Sequence, residues 1–580
     1  MKYEQHIDAA FERLGFTPRP GQKEAADQVL TAFVDENMQN VILNASTGTG
    51  KSIIGAVVAE ALTSAKGCAA DTVKSSISLT ATNVLAKQYG ETFKSLEKAG
   101  KYIMIKGASN YDCSALSEPA NPETAEACAW FTMVQAGSEF EDTISAHCNR
   151  CEYLATKKKK NTVRHLTTNY SYFFVDRMYT GKFEDRDLIV WDEAHLINDL
   201  FSEHNAIHFS QKRLQAMAKE IAETIHLTDV QIAKQLSSIT ADCGKKDKIN
   251  DSNYKSYLAA LQKIYIYAKE QGTQGAATAM RSGQMKTYTK LSRFAKKYEG
   301  LSCKIDDLFK FDYPHVFEWK EQDAAVSVKP VFVSKMMEEL QCSAHNLFMS
   351  ATISDAFMVK TLDLVPERTK FIKLPPTFSK DNKEVIFFDP MSLNYTSLQN
   401  PDTVKQLRKN VAKIVKKHID AGDRGIILAP SFKLQSELVS ELQAQSWAKN
   451  YRLFEQRQGE KLEHTLAAFK QYKGGPAVLI SPAMFEGIDL PGELSRFQIL
   501  VKAPFPNLGD RRMKFILDHH PDLYSLITLM KAVQGAGRSV RSADDFATTY
   551  CLDKNLERLW GSRTNLWSDE FNTRYTKFLM

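Results

Sequence analysis

An α/β fold with two parallel sheets is predicted by three features of the chain. Short, nearly continuous apolar runs recur, each closed by Ser, Thr, Asp or Pro. Each run is followed by turn residues and then by a helical pattern. The runs fall into an early group and a late group, which implies two units. Unbroken apolar runs of this length suit strands buried on both faces of a parallel sheet. In the early group these are Val41 to Ala45, Ser76 to Thr82, Asp187 to Glu193 and Leu347 to Thr352. In the late group they are Arg424 to Ser431, Ala477 to Pro482 and Phe497 to Pro504. Between Leu196 and Asn346 the composition turns to Lys, Gln, Ala, Leu and Tyr at helical spacing, and a helical insertion is expected there. Its best stretch runs from Tyr254 to Glu270, with Tyr257, Leu258, Leu261, Ile264 and Tyr265 forming one stripe. A second insert, from Lys101 to Thr156, carries a cysteine cluster and little sheet pattern.

Length and composition bound the answer. At 580 residues the chain has room for about four domains. With 43% hydrophobic and 25% charged residues it excludes both wholesale disorder and a lone small module. The net charge of +6 permits a polyanionic partner without requiring one. The longest apolar stretch, Ile53 to Leu62, is interrupted by Gly55 and Glu60 and is too short to span a bilayer. The N-terminal MKYEQHIDAAFERLGF has acidic residues where a signal peptide would be apolar, so a cytosolic location, or a nuclear one in a eukaryote, is expected. Nine scattered cysteines argue against a disulfide framework and for free, metal-binding or buried thiols.

After the first strand comes Ala45-Ser-Thr-Gly-Thr-Gly-Lys-Ser52, followed by a helical run from Ile53 to Ala65. This fits the phosphate loop G-x-x-x-x-G-K-[ST] with Ala45 in the first Gly place. Gly48 and Gly50 let the backbone of Ser46, Thr47 and Thr49 turn its N–H groups inward, and the helix adds its positive end. Lys51 is expected on the β and γ phosphates of ATP and the Ser52 hydroxyl on Mg²⁺. The bland alternative, a Gly-rich turn with a chance lysine, is disfavoured by the strand before it and the helix after it. At Trp191-Asp-Glu-Ala-His195 an apolar strand ends in two acids. Asp192 stands where a phosphate-loop enzyme holds its Mg²⁺, and Glu193 is placed to orient and deprotonate the attacking water.

Further short motifs follow in order. They are Arg19-Pro-Gly-Gln22, Leu79 to Gln88, Ser350-Ala-Thr352, the Ser431 region, Phe485-Glu-Gly-Ile-Asp489 and Gln534-Gly-Ala-Gly-Arg-Ser-Val-Arg541. Each is weak alone. With the phosphate loop and the Asp192-Glu193 box, the ordered set resembles superfamily 2 DNA helicases of the iron-sulfur XPD/DinG family across nearly the whole chain. The resemblance implies two RecA-like P-loop motor domains, with an iron-sulfur insert and a helical arch insert in the first. Residues 1–100, 157–203 and 329–370 would form the first motor, 101–156 the cluster domain, 204–328 the arch and 371–580 the second motor. Arg19 and Gln22 would lie on the adenine side, and Gly487 and Asp489 would meet the nucleotide from the second motor. Gln534 would contact the γ-phosphate or its water, and Arg538 and Arg541, three apart on one helix face, would stabilise its developing charge from across the cleft.

The activity implied is an ATP-dependent DNA helicase, working as a monomer. It would move 5′ to 3′ along single-stranded DNA and unwind tailed or forked duplex in repair, replication or recombination. Two alternatives share the motor: a DNA-stimulated ATPase that remodels protein–DNA complexes without unwinding, and an RNA helicase. Only about forty residues precede the phosphate loop, so nuclease activity is not expected.

Cys113, Cys128, Cys148 and Cys151 are separated by 14, 19 and 2 residues. By spacing alone they suit a cluster, a structural zinc or unliganded thiols; the resemblance selects a [4Fe-4S] cluster. Cys68, Cys243, Cys303, Cys342 and Cys551 read as buried small hydrophobes. Lys157 to Lys160, directly after the cluster, is either a basic track for the strand or a solvated face. Thr82, Gln88, Asn169 and Tyr170 fall where the resemblance implies strand contacts, while Tyr111 and Tyr153 are expected to pack around the cysteines.

Overall fold

The structure is a computed structural model describing residues 1–46, 48–64, 74–111, 151–180, 183–310, 314–321, 324–340, 343–376, 378–460, 462–482, 490–537, 539–540, 544–563 and 570–576. The strands of the first half are β1 (Asn40–Asn44), β2 (Ser76–Thr80), β3 (Tyr102–Met104), β4 (His165–Asn169), β5 (Leu188–Asp192), β6 (Ile207–Ser210), β7 (His315–Lys320), β8 (Ala325–Pro330), β9 (His345–Ser350) and β10 (Thr369–Lys373). Seven of them form one sheet in the order β10-β1-β9-β5-β2-β4-β3, with every pairing parallel. The second half supplies β11 (Lys383–Met391), β12 (Arg424–Leu428), β13 (Arg452–Glu455), β14 (Ala477–Ser481), β15 (Phe497–Leu500), β16 (Ala547–Asp553) and β17 (Asn572–Thr576). They form a second all-parallel sheet, ordered β13-β14-β12-β15-β16-β11-β17.

All seven apolar runs found in the sequence are strands of these sheets. Both sheets are covered on two faces, so β1, β2, β5 and β14 are buried along their whole length. The helix Lys51–Ser64 is apolar nearly all round because it too is enclosed. Its one acid, Glu60, is fully buried and accepts from Arg13 Nε at 2.6 Å while meeting His165 Nε2 at 2.7 Å; His165 Nδ1 in turn meets Ser76 Oγ at 2.7 Å. Burial opposes the charge, but the His165 and arginine contacts outweigh it and hold the Glu60 carboxyl below its usual range. The phosphate-loop helix is thereby tied to β2 and β4.

The stretch between β5 and β9 is mainly helical as expected, with helices Gln211–Ile225, Val230–Cys243, Tyr254–Arg281 and Met285–Lys310. The stripe on the third of these is real for Leu258, Leu261, Ile264 and Tyr265, which pack with Phe294 and Tyr298. Tyr257 sits at its edge and donates to Asp242 Oδ2 at 2.9 Å. The purely helical expectation misses an antiparallel sheet, β6-β8-β7, which closes the insert at its base. The expected boundary at residue 370 falls inside β10, which pairs with β1, so the first sheet runs to Lys373. No helix among the described residues is long and apolar enough to cross a membrane.

One hydrophobic cluster bridges the two halves. Phe357, Met358 and Leu362 of the first pack with Met513, Ile516, Leu523 and Met530 of the second. These last residues lie on helices Arg511–His519 and Pro521–Ala536.

Candidate nucleotide site between the two sheets

The site is built on the carboxyl ends of β1, β5 and β9, where ligands bind in open parallel sheets. Asn44 at the end of β1 donates Nδ2 to the Ile353 carbonyl at 2.6 Å, and Ala45 N donates to Ser350 O at 3.1 Å, locking the start of the phosphate loop to the end of β9. Gly48 and Gly50 adopt φ of +91° and +76°. At Gly50 the φ calls for glycine, and a Cβ there would also stand 2.5 Å from Gln22 Nε2 and displace the amide that holds Thr49 O. Gln22 is only 1% exposed; its Nε2 donates to Thr49 O at 2.8 Å and its Oε1 accepts from Arg19 N at 2.9 Å. Arg19 Nη1 reaches Gly48 O at 3.5 Å. The Arg19–Gln22 element therefore braces the loop from behind. Thr49 Oγ1 donates to Ser46 O at 2.8 Å, while the buried Ser46 hydroxyl has no hydrogen-bond partner among the described residues. Ser52 follows Lys51 in the first helical turn and is half-buried. Thr47 lies outside the described residues.

β5 delivers the two acids. Trp191 is fully buried, stacked between Tyr170 and Phe348 with centroids at 6.0 and 5.6 Å, and donates Nε1 to Asn346 Oδ1 at 3.1 Å. The next residue, Asp192, has its main-chain carbonyl held by Tyr170 OH at 2.7 Å. Its buried Oδ1 has no hydrogen-bond partner among the described residues. Burial first, and the neighbouring Glu193 charge second, push the Asp192 carboxyl up to about 7, against the pull of Lys51. Glu193 takes φ of +51°, a left-handed bend that stops the strand, and its Oε1 lies 3.9 Å from Lys51 Nζ.

A chain of polar contacts links Glu193 to the second half. Gln534 Nε2 is 2.8 Å from His195 Nε2 and 2.9 Å from Thr352 Oγ1. An amide N–H donor at Nε2 makes that nitrogen the acceptor and places the ring proton on Nδ1. Nδ1 is 2.8 Å from Ser350 Oγ, which donates in turn to Glu193 Oε2 at 3.4 Å. The polarity is consistent throughout: Gln534 to His195 to Ser350 to Glu193. Sequence reasoning set Gln534 beside the phosphate or its water and gave His195, Ser350 and Thr352 no individual role. Their positions in the Asp-Glu-Ala-His and Ser-Ala-Thr motifs were the only signal.

Of the expected site residues, the structure gathers Arg19, Gln22, Ser46, Gly48, Thr49, Gly50, Lys51, Ser52, Asp192, Glu193 and Gln534. Arg538, Arg541, Gly487, Asp489, Cys113, Cys128 and Cys148 lie outside the described residues. Cys151 is described, half-buried at the head of helix Glu152–Lys159 beside Tyr111 and Tyr153. Those two rings pack on each other at 5.2 Å, and Tyr111 OH accepts from Lys106 N at 3.1 Å. Among the described residues no group of three or more His, Cys, Asp or Glu is placed to hold a metal.

Two strand-contact expectations change. Tyr170 is buried, its ring in the core and its hydroxyl on Asp192. Lys160 is also buried, paired with Asp176 and lying over the Phe183 ring, so the lysine run offers at most Lys157, Lys158 and Lys159 to a partner. Thr82 and Asn169 are helix N-caps, accepting from Leu85 N at 3.2 Å and Tyr172 N at 2.7 Å. Gln88 is exposed.

Residues 15–229 match the family described as type III restriction enzyme, res subunit, and residues 414–568 match the helicase C-terminal domain. The chain is 22% identical to the ATP-dependent DNA helicase YoaA of Escherichia coli (strain K12), covering 93% of this chain and 92% of that protein. It is also 22% identical to the probable ATP-dependent helicase MJ0942 of Methanocaldococcus jannaschii, covering 96% and 94%. A solved XPD helicase superimposes with a TM-score of 0.62 at 15% identity over 97% of this chain and all of that one. The Xpd4 structure from S. tokodaii does so with 0.57 at 13% identity, over 96% of this chain and all of that one. The two sheets are thus RecA-like domains in an XPD-like arrangement, and with the motifs in order along them the matched domains and the named relatives support an XPD/DinG-like superfamily 2 helicase.

Proposed function

We propose that the protein is an ATP-dependent DNA helicase that moves 5′ to 3′ along a single strand and opens tailed or forked duplexes, acting in the cytosol as a monomer. The observation that carries this reading is the Gln534–His195–Ser350–Glu193 chain across the two motors. It ties the group placed to deprotonate water to a residue of the opposite domain, so hydrolysis senses whether the cleft is closed. Both halves of that cleft belong to one chain, which is why no partner subunit is invoked. The similarity to the ATP-dependent DNA helicase YoaA supports the DNA substrate.

ATP would lie on the loop from Ser46 to Ser52, with Lys51 at its γ-phosphate and Arg538 and Arg541 reaching it from the second motor. The unpartnered Asp192 Oδ1 and Ser46 hydroxyl fit this ligand set. Both are buried polar atoms that a Mg²⁺ ion, its bound water or a phosphate oxygen would satisfy. In the metal-free fold the Asp192 carboxyl titrates near 7, well above its ordinary range, so this group favours folding at low pH. That contribution is lost as pH rises toward 7. Mg²⁺ requires the carboxylate and displaces the proton. Its affinity in the presence of ADP is therefore expected to rise about tenfold between pH 6 and pH 8, and Asp192→Asn to abolish the rise. Calorimetric titration at the two pH values checks this.

Cys113, Cys128, Cys148 and Cys151 are proposed to hold a [4Fe-4S] cluster, whose thiolate bonds would cross-link the segment ahead of helix Glu152–Lys159. The test uses anaerobically purified protein, ATP and Mg²⁺ on matched duplexes with a 5′ or a 3′ tail. Unwinding of the 5′-tailed duplex alone is expected; unwinding of the 3′-tailed one alone would reverse the polarity. ATP turnover on single strands without any unwinding would point to remodelling, and preference for a matched RNA strand to an RNA helicase. Cys148→Ser is expected to lose bound iron and unwinding while still binding nucleotide.

A further inference from the structure

Among the described residues the polar contacts between the two motors fall at two places of unlike chemistry. Near the nucleotide site the contacts are the neutral hydrogen bonds of Gln534 to His195 and Thr352. Beside them lies a solvent-open cleft of about 460 Å³ lined by His195, Phe357, Ile527, Met530, Lys531 and Gln534, among others. Neutral bonds at such a rim exchange for water at little net cost.

The second place is Arg512, on the helix Arg511–His519 of the second motor. It is only 5% exposed. Its Nε donates to the Val331 carbonyl at 3.0 Å, and its Nη1 lies 2.8 Å from the Asp199 carboxylate, in the helix directly after the Asp192-to-His195 box. Its Nη2 is buried with no hydrogen-bond partner among the described residues. Around it, His520 packs edge-on against Phe332 at 5.4 Å, and Met513 and Ile516 lie in the shared hydrophobic cluster. A neighbouring pair, Arg511 with Asp251 at 3.5 Å, is exposed and contributes little.

A buried guanidinium already short of one partner cannot release the others without stranding its charge. We infer that Arg512 is the fixed pivot of the inter-motor interface, a positioning residue about which the second motor turns while the Gln534 contacts make and break. By gripping the helix that carries Asp199, it sets the arc along which Gln534 returns to His195. Only the nucleotide-driven part of this inference rests on the proposed ATPase.

The test measures the distance between the motors by single-molecule FRET. Dyes are attached through non-natural amino acids at Val84 in the first motor and Tyr395 in the second, 69% and 81% exposed. Wild type is expected to give one narrow distribution without nucleotide and another with ADP and beryllium fluoride. Arg512→Met should make both about twice as wide, and Arg512→Lys, which keeps the charge but not the fork, should lie between. Gln534→Ala should keep the narrow width and lose only the nucleotide-dependent shift. Asp199→Asn removes the countercharge of Arg512 at the solvent edge and serves if the Met variant does not fold; it too should broaden the distributions. Unchanged width in Arg512→Met, or in Asp199→Asn where that variant stands in for it, overturns the pivot. So does broadening in Gln534→Ala equal to that in the Arg512 variant. A wild type that shows no nucleotide shift counts against the ATPase reading, while the widths still decide the pivot.

Discussion

Replacing Glu193 with Gln is expected to lower DNA-stimulated ATP turnover by about a thousandfold, the range in which a positioned general base contributes. Nucleotide binding should persist. The substitution is isosteric and keeps an acceptor for Ser350 Oγ, so the relay from Gln534 retains its geometry. It also removes the repulsion that raises the neighbouring Asp192 carboxyl, so Mg²⁺ should bind at least as well as in wild type. The measurement is steady-state ATP hydrolysis on single-stranded DNA, beside the affinity for a fluorescent ADP. Turnover within tenfold of wild type would assign the base elsewhere and leave Glu193 as a partner of Lys51.

Trp191→Ala is expected to have the largest effect on stability. The indole is fully buried at the centre of the first sheet, on the strand flanked by β9 and β2. Its loss opens a cavity among Tyr170, Phe173, Phe201 and Phe348 and removes one of the donors to the Asn346 amide oxygen, which keeps Ser343 Oγ at 3.1 Å. Such truncations cost about 3–5 kcal/mol. Because the adjacent residues are Asp192 and Glu193, loosening β5 should also reduce turnover. Amide exchange should accelerate in β5 and β9 while β12 and β14 of the second motor keep their protection. Uniform acceleration across both sheets would mean that the motors unfold as one unit.

The strands legible in the sequence are those enclosed on both faces. β1, β5, β9, β12, β14 and β15 carry unbroken apolar runs because no side of them meets water. The edge strands β10, β13 and β17 do not, since an edge is partly solvated and accepts Lys370, Arg452 or Arg574, and the edge strand β3 is only three residues long. β4 was missed for another reason: His165, Thr167 and Thr168 are polar yet buried, and His165 and Thr168 are satisfied by Glu60, Ser76 and the Ile105 carbonyl, partners far away in sequence. Lys160 is the same case. In the sequence it is the end of a charge run; in the fold Asp176 neutralises it under Phe183.

The local chemistry of the site was readable because phosphate binding needs glycines, a lysine and a hydroxyl at fixed backbone spacing, and the two acids must end a strand. Spacing along one segment is a property of the chain alone. The assembly of those segments is not. Gln534 meets His195 across 339 positions, and Arg512 meets Asp199 through an interface that neither helix reveals by its own pattern. Strand order, the depth of a charge and the pairing of two motors depend on which surfaces exclude water together, and that is decided only when the whole chain is folded.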